Sequence, residues 1–191
     1  MLGKTNVKVK PNAKKPPIDY VEYIESSGTQ YIDTGIIPKI DYTVEAEFQA
    51  TEATGSGEGW LFATWDNSAG FRVGIVRNMF SNSNITVNAN GTSVTYSQTS
   101  ILQYTRVTAK ATSDRAYSLY LFSQHESTGA THTSMSKYKL YLLKIYDSGG
   151  SLVRDFKPCK DENGVYCLYD EVSKTYFYNQ GTGNFTGGAS L

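Results

Sequence analysis

Catalytic chemistry leaves recognisable spacings, and this chain of 191 residues offers few of them. Glycoside hydrolysis needs two carboxylates roughly 5–10 Å apart across a cleft. The nearest pair is Glu45-Ala-Glu47, whose two-residue spacing puts both side chains on the polar face of one strand, where solvent holds them. Asp170-Glu171 opens a turn, and adjacent residues point apart. Acyl transfer needs a nucleophile on a sharp elbow, and no Gly-x-Ser-x-Gly run occurs. The only two histidines, His125 and His132, fall in 125–136, a stretch expected to be an exposed loop. No Cys or His cluster shows zinc spacing. Gly55-Ser-Gly-Glu-Gly59 lacks the Lys-Ser/Thr of a phosphate loop and reads as a hairpin tip. These patterns predict a protein that is not an enzyme and carries no metal or cofactor.

Binding chemistry is better represented. Sugar rings stack their C–H faces on aromatic planes and hydrogen-bond to polar neighbours. Trp65 sits beside Asp66-Asn67, Arg72 follows the turn, and Tyr120 alternates with Leu119 and Leu121. Trp65, Asp66, Asn67, Arg72 and Tyr120 are therefore the candidate ligand-binding residues. The same aromatic types also fill sandwich cores and protein interfaces, and that alternative stays open. Calcium would need several converging oxygens. Asp66 with Asn67, or Asp161 with Glu162 and Asn163, are thin candidates that turn chemistry explains equally well.

The elements that must hold these residues are strands. Hydrophobic residues are 39% and charged residues 19% of the chain, and 15 residues are Tyr, a composition unlike a coiled coil or a charged disordered chain. In 43–50, Val44, Ala46, Phe48 and Ala50 share one face. In 71–76, Phe71, Val73 and Ile75 oppose Arg72, and in 105–111, Val107, Ala109 and Ala111 oppose Arg106, Thr108 and Lys110. This is the alternation of half-buried strands. Further strands are expected at 59–64, 85–87, 93–97, 117–122, 137–146, 152–158, 165–169 and 175–179. Turn signals such as Asn90-Gly91, Ser148-Gly149-Gly150 and Asn163-Gly164 separate them. Short strands at this spacing predict a β-sandwich or barrel.

Charge divides the chain. Residues 1–17 hold Lys4, Lys8, Lys10, Lys14 and Lys15, three prolines and no acid, whereas 18–191 hold 13 basic and 18 acidic residues, a net of −5. The reading is an extended basic arm (1–17) and an acidic body (18–191). An acidic body argues against nucleic-acid binding, and the absence of an apolar run near ~20 residues argues against membrane insertion. The arm has no run of seven apolar residues, so no export signal is expected and the chain is made in a cytoplasm. Cys159 and Cys167 flank a seven-residue loop, and a hairpin could bring them together; two reduced thiols are the expectation.

The ends of the body resemble a known module. Tyr20-Val-Glu-Tyr-Ile-Glu-Ser-Ser-Gly-Thr-Gln-Tyr-Ile-Asp-Thr-Gly35, Lys144 to Cys159 and Gly164 to Phe185 are similar to segments of a concanavalin A-like, or laminin G-like, module of gut-bacterial surface proteins and their phages. The likeness spans about residues 20–187, and between 51 and 136 it is one of pattern alone. It implies a jelly roll of two antiparallel sheets. Stand-alone chains of this kind with a basic, proline-bearing start are similar to phage virion proteins, such as fibre or head-decoration components. The resemblance thus implies a non-enzymatic virion protein, homo-oligomeric, held to other virion proteins by its arm and offering a lectin-like surface to host glycans. The alternative is a carbohydrate-binding module of a secreted bacterial protein. Fold alone does not choose between them.

Overall fold

A computed structural model describes residues 18–52, 57–66, 69–76, 79–83, 85–94, 103–126, 132–133 and 136–191. The arm lysines, Asn67, Gly55 and Ser56 lie outside the described residues, as do 95–97 of the strand expected at 93–97. Along the chain the strands are β1 (Asp19–Tyr20), β2 (Ile24–Glu25), β3 (Ile32–Asp33), β4 (Thr43–Ala50), β5 (Glu58–Trp65), β6 (Gly70–Val76), β7 (Met79–Ser83), β8 (Ile85–Ala89) and β9 (Thr92–Val94). They continue as β10 (Thr105–Ala111), β11 (Tyr120–Leu121), β12 (Gln124–His125), β13 (His132–Thr133), β14 (Tyr138–Tyr146), β15 (Leu152–Lys160), β16 (Tyr166–Asp170), β17 (Thr175–Phe177) and β18 (Thr186–Gly187).

These strands form two sheets, the all-β sandwich of a jelly roll. The larger runs β17-β16-β15-β14-β4-β10-β8-β9, with β1 on β15 and β2 linking β14 to β18. The smaller is built on β5, which pairs with β6, β11 and β12, while β3, β7 and β13 extend it. Among the described residues every pairing between these strands is antiparallel except the short β12–β5 contact, which runs parallel.

The alternation read from the sequence is the alternation of burial. Along β4 every second residue is buried, and along β10 Arg106, Thr108 and Lys110 are exposed between buried neighbours. Phe48, Val107, Leu140, Leu143 and Phe156 of the larger sheet meet Ile32, Phe62, Phe71, Val73 and Leu121 of the smaller in one core. Each such side chain contributes about 1.5–3 kcal/mol by leaving water. Asn90 (φ 49°) and Gly91 (φ 84°) both take the left-handed conformation that a two-residue hairpin between β8 and β9 requires.

At β12 and β13 the pattern gave no signal. The stretch 125–136 is not one exposed loop: Gln124–His125 and His132–Thr133 pair as a hairpin, and Ser136 is buried with its hydroxyl donating to the Trp60 carbonyl at 2.6 Å. Two residues cannot establish a period of two.

The signature ends meet each other. Gln30 is 1% exposed; its Oε1 accepts from Ser27 N (2.8 Å) and Ser26 Oγ (3.1 Å), and its Nε2 donates to Thr29 Oγ1 (2.9 Å) and Thr182 O (3.2 Å). Thr182 N donates to Thr29 O and Gln180 N to Tyr31 O, each at 2.9 Å. The Ser-Ser-Gly-Thr-Gln run is thus a clasp that ties the start of the body to 179–183.

Candidate functional site

Strand β5 positions the site through an irregularity. In a regular strand, residues 60 and 65 would face opposite sides. A bulge between Trp60 and Phe62 adds one residue, so Trp60 lies opposite Gly74, Ala63 opposite Arg72 and Trp65 opposite Gly70. Phe62, Phe71 and Val73 point into the core. Trp60, Trp65 and Arg72 therefore share the outer face of the smaller sheet.

Arg72 lies between the two indoles. Its guanidinium carbon is 4.5 Å from the Trp60 ring centre and 4.2 Å from that of Trp65, within the range of cation–π attraction. The glycines two residues to either side of Arg72 make the space. A Cβ on Gly70 would stand 2.8 Å from Trp65 Cε3, and one on Gly74 would stand 2.2 Å from the Gly59 carbonyl oxygen. Arg72 Nη1 donates to Gln124 Oε1 at 3.0 Å, and Gln124 Nε2 donates to Glu126 Oε1 at 2.8 Å. Burial lowers the Arg72 pKa, against the opposing pull of Glu58 and Glu126; the group stays cationic at neutral pH. Trp60 Nε1 and Arg72 Nε are buried donors without an acceptor among the described residues. Such groups are rare in native structures.

The predicted residues divide. Trp65 and Arg72 come together, and both are half-buried. Asp66 sits at the end of the same platform, but as a turn residue: its carboxylate accepts from Ala69 N at 3.2 Å and lies 3.7 Å from the buried Arg115 Nη1. Tyr120 belongs to a neighbouring stack. Its ring lies between Tyr31 (centroids 5.0 Å apart) and His125 (4.2 Å), so both faces are covered. Burial first, then Asp33 and Tyr31, push its hydroxyl pKa up to about 12. Trp60, Gln124 and Glu126 escaped sequence reading, although the Gly70-Phe-Arg-Val-Gly74 pattern around Arg72 is a legible trace of the platform.

The other candidates take structural places. Glu45 accepts from Tyr146 Oη at 3.1 Å, and Glu47 pairs with Arg106 at 2.5 Å and with Tyr104, so each carboxylate has its own partners on the outer face of β4. His125 Nδ1 lies 3.0 Å from Ser118 O. Asp161 Oδ1 accepts from Asn163 N and Val165 N, both at 2.9 Å, and the Val165 amide foremost lowers its pKa. Among the described residues no three His, Cys, Asp or Glu side chains group as metal ligands.

No protein-family model matches this chain, and no curated protein matches it in sequence. The class defined by fold and geometry is a two-sheet jelly-roll sandwich with an aromatic, cationic platform on the outer face of its smaller sheet.

Proposed function

We propose that this chain is a non-enzymatic jelly-roll module of a phage particle and that the outer face of β5 and β6 binds host-surface carbohydrate. The observation that carries the binding reading is the half-buried pair of Arg72 and Trp65 on the outer face of the smaller sheet, with Trp60, itself 1% exposed, packed against the guanidinium. An indole plane takes the C–H face of a sugar. A guanidinium, an amide and a carboxylate side by side serve hydroxyls that both donate and accept. The virion reading rests on the resemblance of residues 20–35, 144–159 and 164–185 to a module of gut-bacterial surface proteins and their phages, together with the basic, proline-bearing residues 1–17. The five arm lysines suit contact with an acidic neighbouring subunit.

An array of bacterial capsular and cell-wall polysaccharides tests the binding reading. Trp65→Ala should weaken binding to the retained glycans about 2- to 12-fold, the equivalent of about 0.5–1.5 kcal/mol for one aromatic contact. An array without hits, or a variant that binds at full strength, argues against it. The arm is tested separately by a chain starting at Ile18. Its melting temperature should match that of the full chain, and its incorporation into particles should be lost; incorporation at the full-length level would place the anchor in the jelly roll.

A further inference from the structure

We propose that Cys159 and Cys167 are a disulfide-forming pair whose closure is gated by strand β1. The two residues are direct register partners across β15 and β16. Both are fully buried thiols, and their sulfurs lie 3.5 Å apart. Directly opposed antiparallel residues have Cα atoms about 4.5 or 5.5 Å apart. Disulfides span about 4.4–6.8 Å between Cα atoms, so side-chain rotation closes the bond without moving a strand.

The cover is specific. Ile18, Tyr20, Tyr169 and Tyr176 pack against the thiols as a cluster separate from the main core. Tyr20 is held over Cys159 in three ways. It is the register partner of Cys159, its carbonyl accepts from Leu191 N at 2.9 Å, and its hydroxyl bonds Glu171. The hydrogen bond to Cys159 and then burial raise the Cys167 pKa far above the ordinary thiol range. Only a thiolate attacks a disulfide, so the native pair is slow until β1 lifts.

The reaction is thiol–disulfide exchange with a small disulfide oxidant such as oxidised glutathione. One cysteine thiolate attacks a glutathione sulfur, the glutathione S–S bond breaks, and one glutathione thiolate leaves. The second cysteine thiolate then attacks the protein sulfur of the mixed disulfide and expels the other glutathione. The protein loses two electrons and two protons, and the oxidant becomes two thiols.

The test treats the reduced full-length chain with oxidised glutathione under native conditions. The intact mass should fall by two hydrogens, the melting temperature should rise by roughly 5 °C for so short a loop, and a dithiol reductant should reverse both. Tyr20→Ala should speed closure about tenfold by easing local opening, and Tyr20→Phe, which keeps the ring and loses only the Glu171 bond, should speed it less. A stable glutathione adduct, a cross-linked dimer or two thiols that persist in the wild-type chain would overturn the pairing. Closure of both variants at the wild-type rate would overturn the gating.

Discussion

Asp170→Ala should destabilise the protein by about 3–5 kcal/mol at neutral pH, the cost of dismantling a buried charged network. Asp170 is fully buried at the end of β16. Its Oδ1 accepts from Asp155 N (2.8 Å) and Val172 N (3.1 Å), and its Oδ2 from Ser173 N (3.1 Å) and Ser173 Oγ (2.6 Å), with Arg154 Nε 3.6 Å away. One carboxylate thus orders the turn to β17 and fixes β16 against β15. Burial alone would raise its pKa; the bonds from Ser173, Asp155 and Val172 outweigh burial and leave it below the ordinary range. A depressed folded-state pKa gives stability that is complete above the unfolded value of about 3.9 and is lost as pH falls through the folded value. Urea unfolding of the wild-type chain should therefore show stability falling below about pH 4. In Asp170→Asn the neutral-pH stability should be lower and this acid limb shallower. Equal acid limbs in the two proteins would contradict the assignment.

Gly181→Ala should cost about 3 kcal/mol, the upper range for forcing atoms into a packed site. A Cβ at Gly181 would stand 2.1 Å from the Thr29 carbonyl oxygen, a backbone atom that cannot swing aside. One of the two connecting segments would have to retreat, and with it the Thr182 and Gln30 bonds that close the clasp. Gly149→Ala is the matched control. Its new methyl would meet only the Asp147 carboxylate, at 3.3 Å. Thermal unfolding of the two variants should separate them clearly, and equal melting temperatures would mean that the clasp yields.

The long strands were legible because each has one wet face and one dry face. β4, β10 and β14 begin or end within two residues of where alternation and turn residues put them. β1 to β3, β12 and β13 were not legible, because two residues carry no period and tertiary pairing alone makes them strands, while β11 lies inside the strand expected at 117–122, of which only Tyr120–Leu121 pair. The site was half legible for a related reason. Trp65 and Arg72 were found because they flank one turn. Trp60 sits an odd number of residues from Trp65, and only the β5 bulge turns it to the same face. Gln124 and Glu126 arrive from a parallel contact, far along the chain, that no local pattern announces. Tyr120 carried the right chemistry, but Tyr31 and His125 enclose it.

The chain has two tryptophans, and both flank Arg72. Tryptophan emission therefore reports directly on the proposed binding face. Titration with a polysaccharide retained on the array should change the emission along a saturable curve whose midpoint equals the Kd measured independently, and Arg72→Ala should abolish that change while leaving the fold intact. Binding that saturates with no change in tryptophan emission would place the ligand elsewhere on the sandwich and contradict the account.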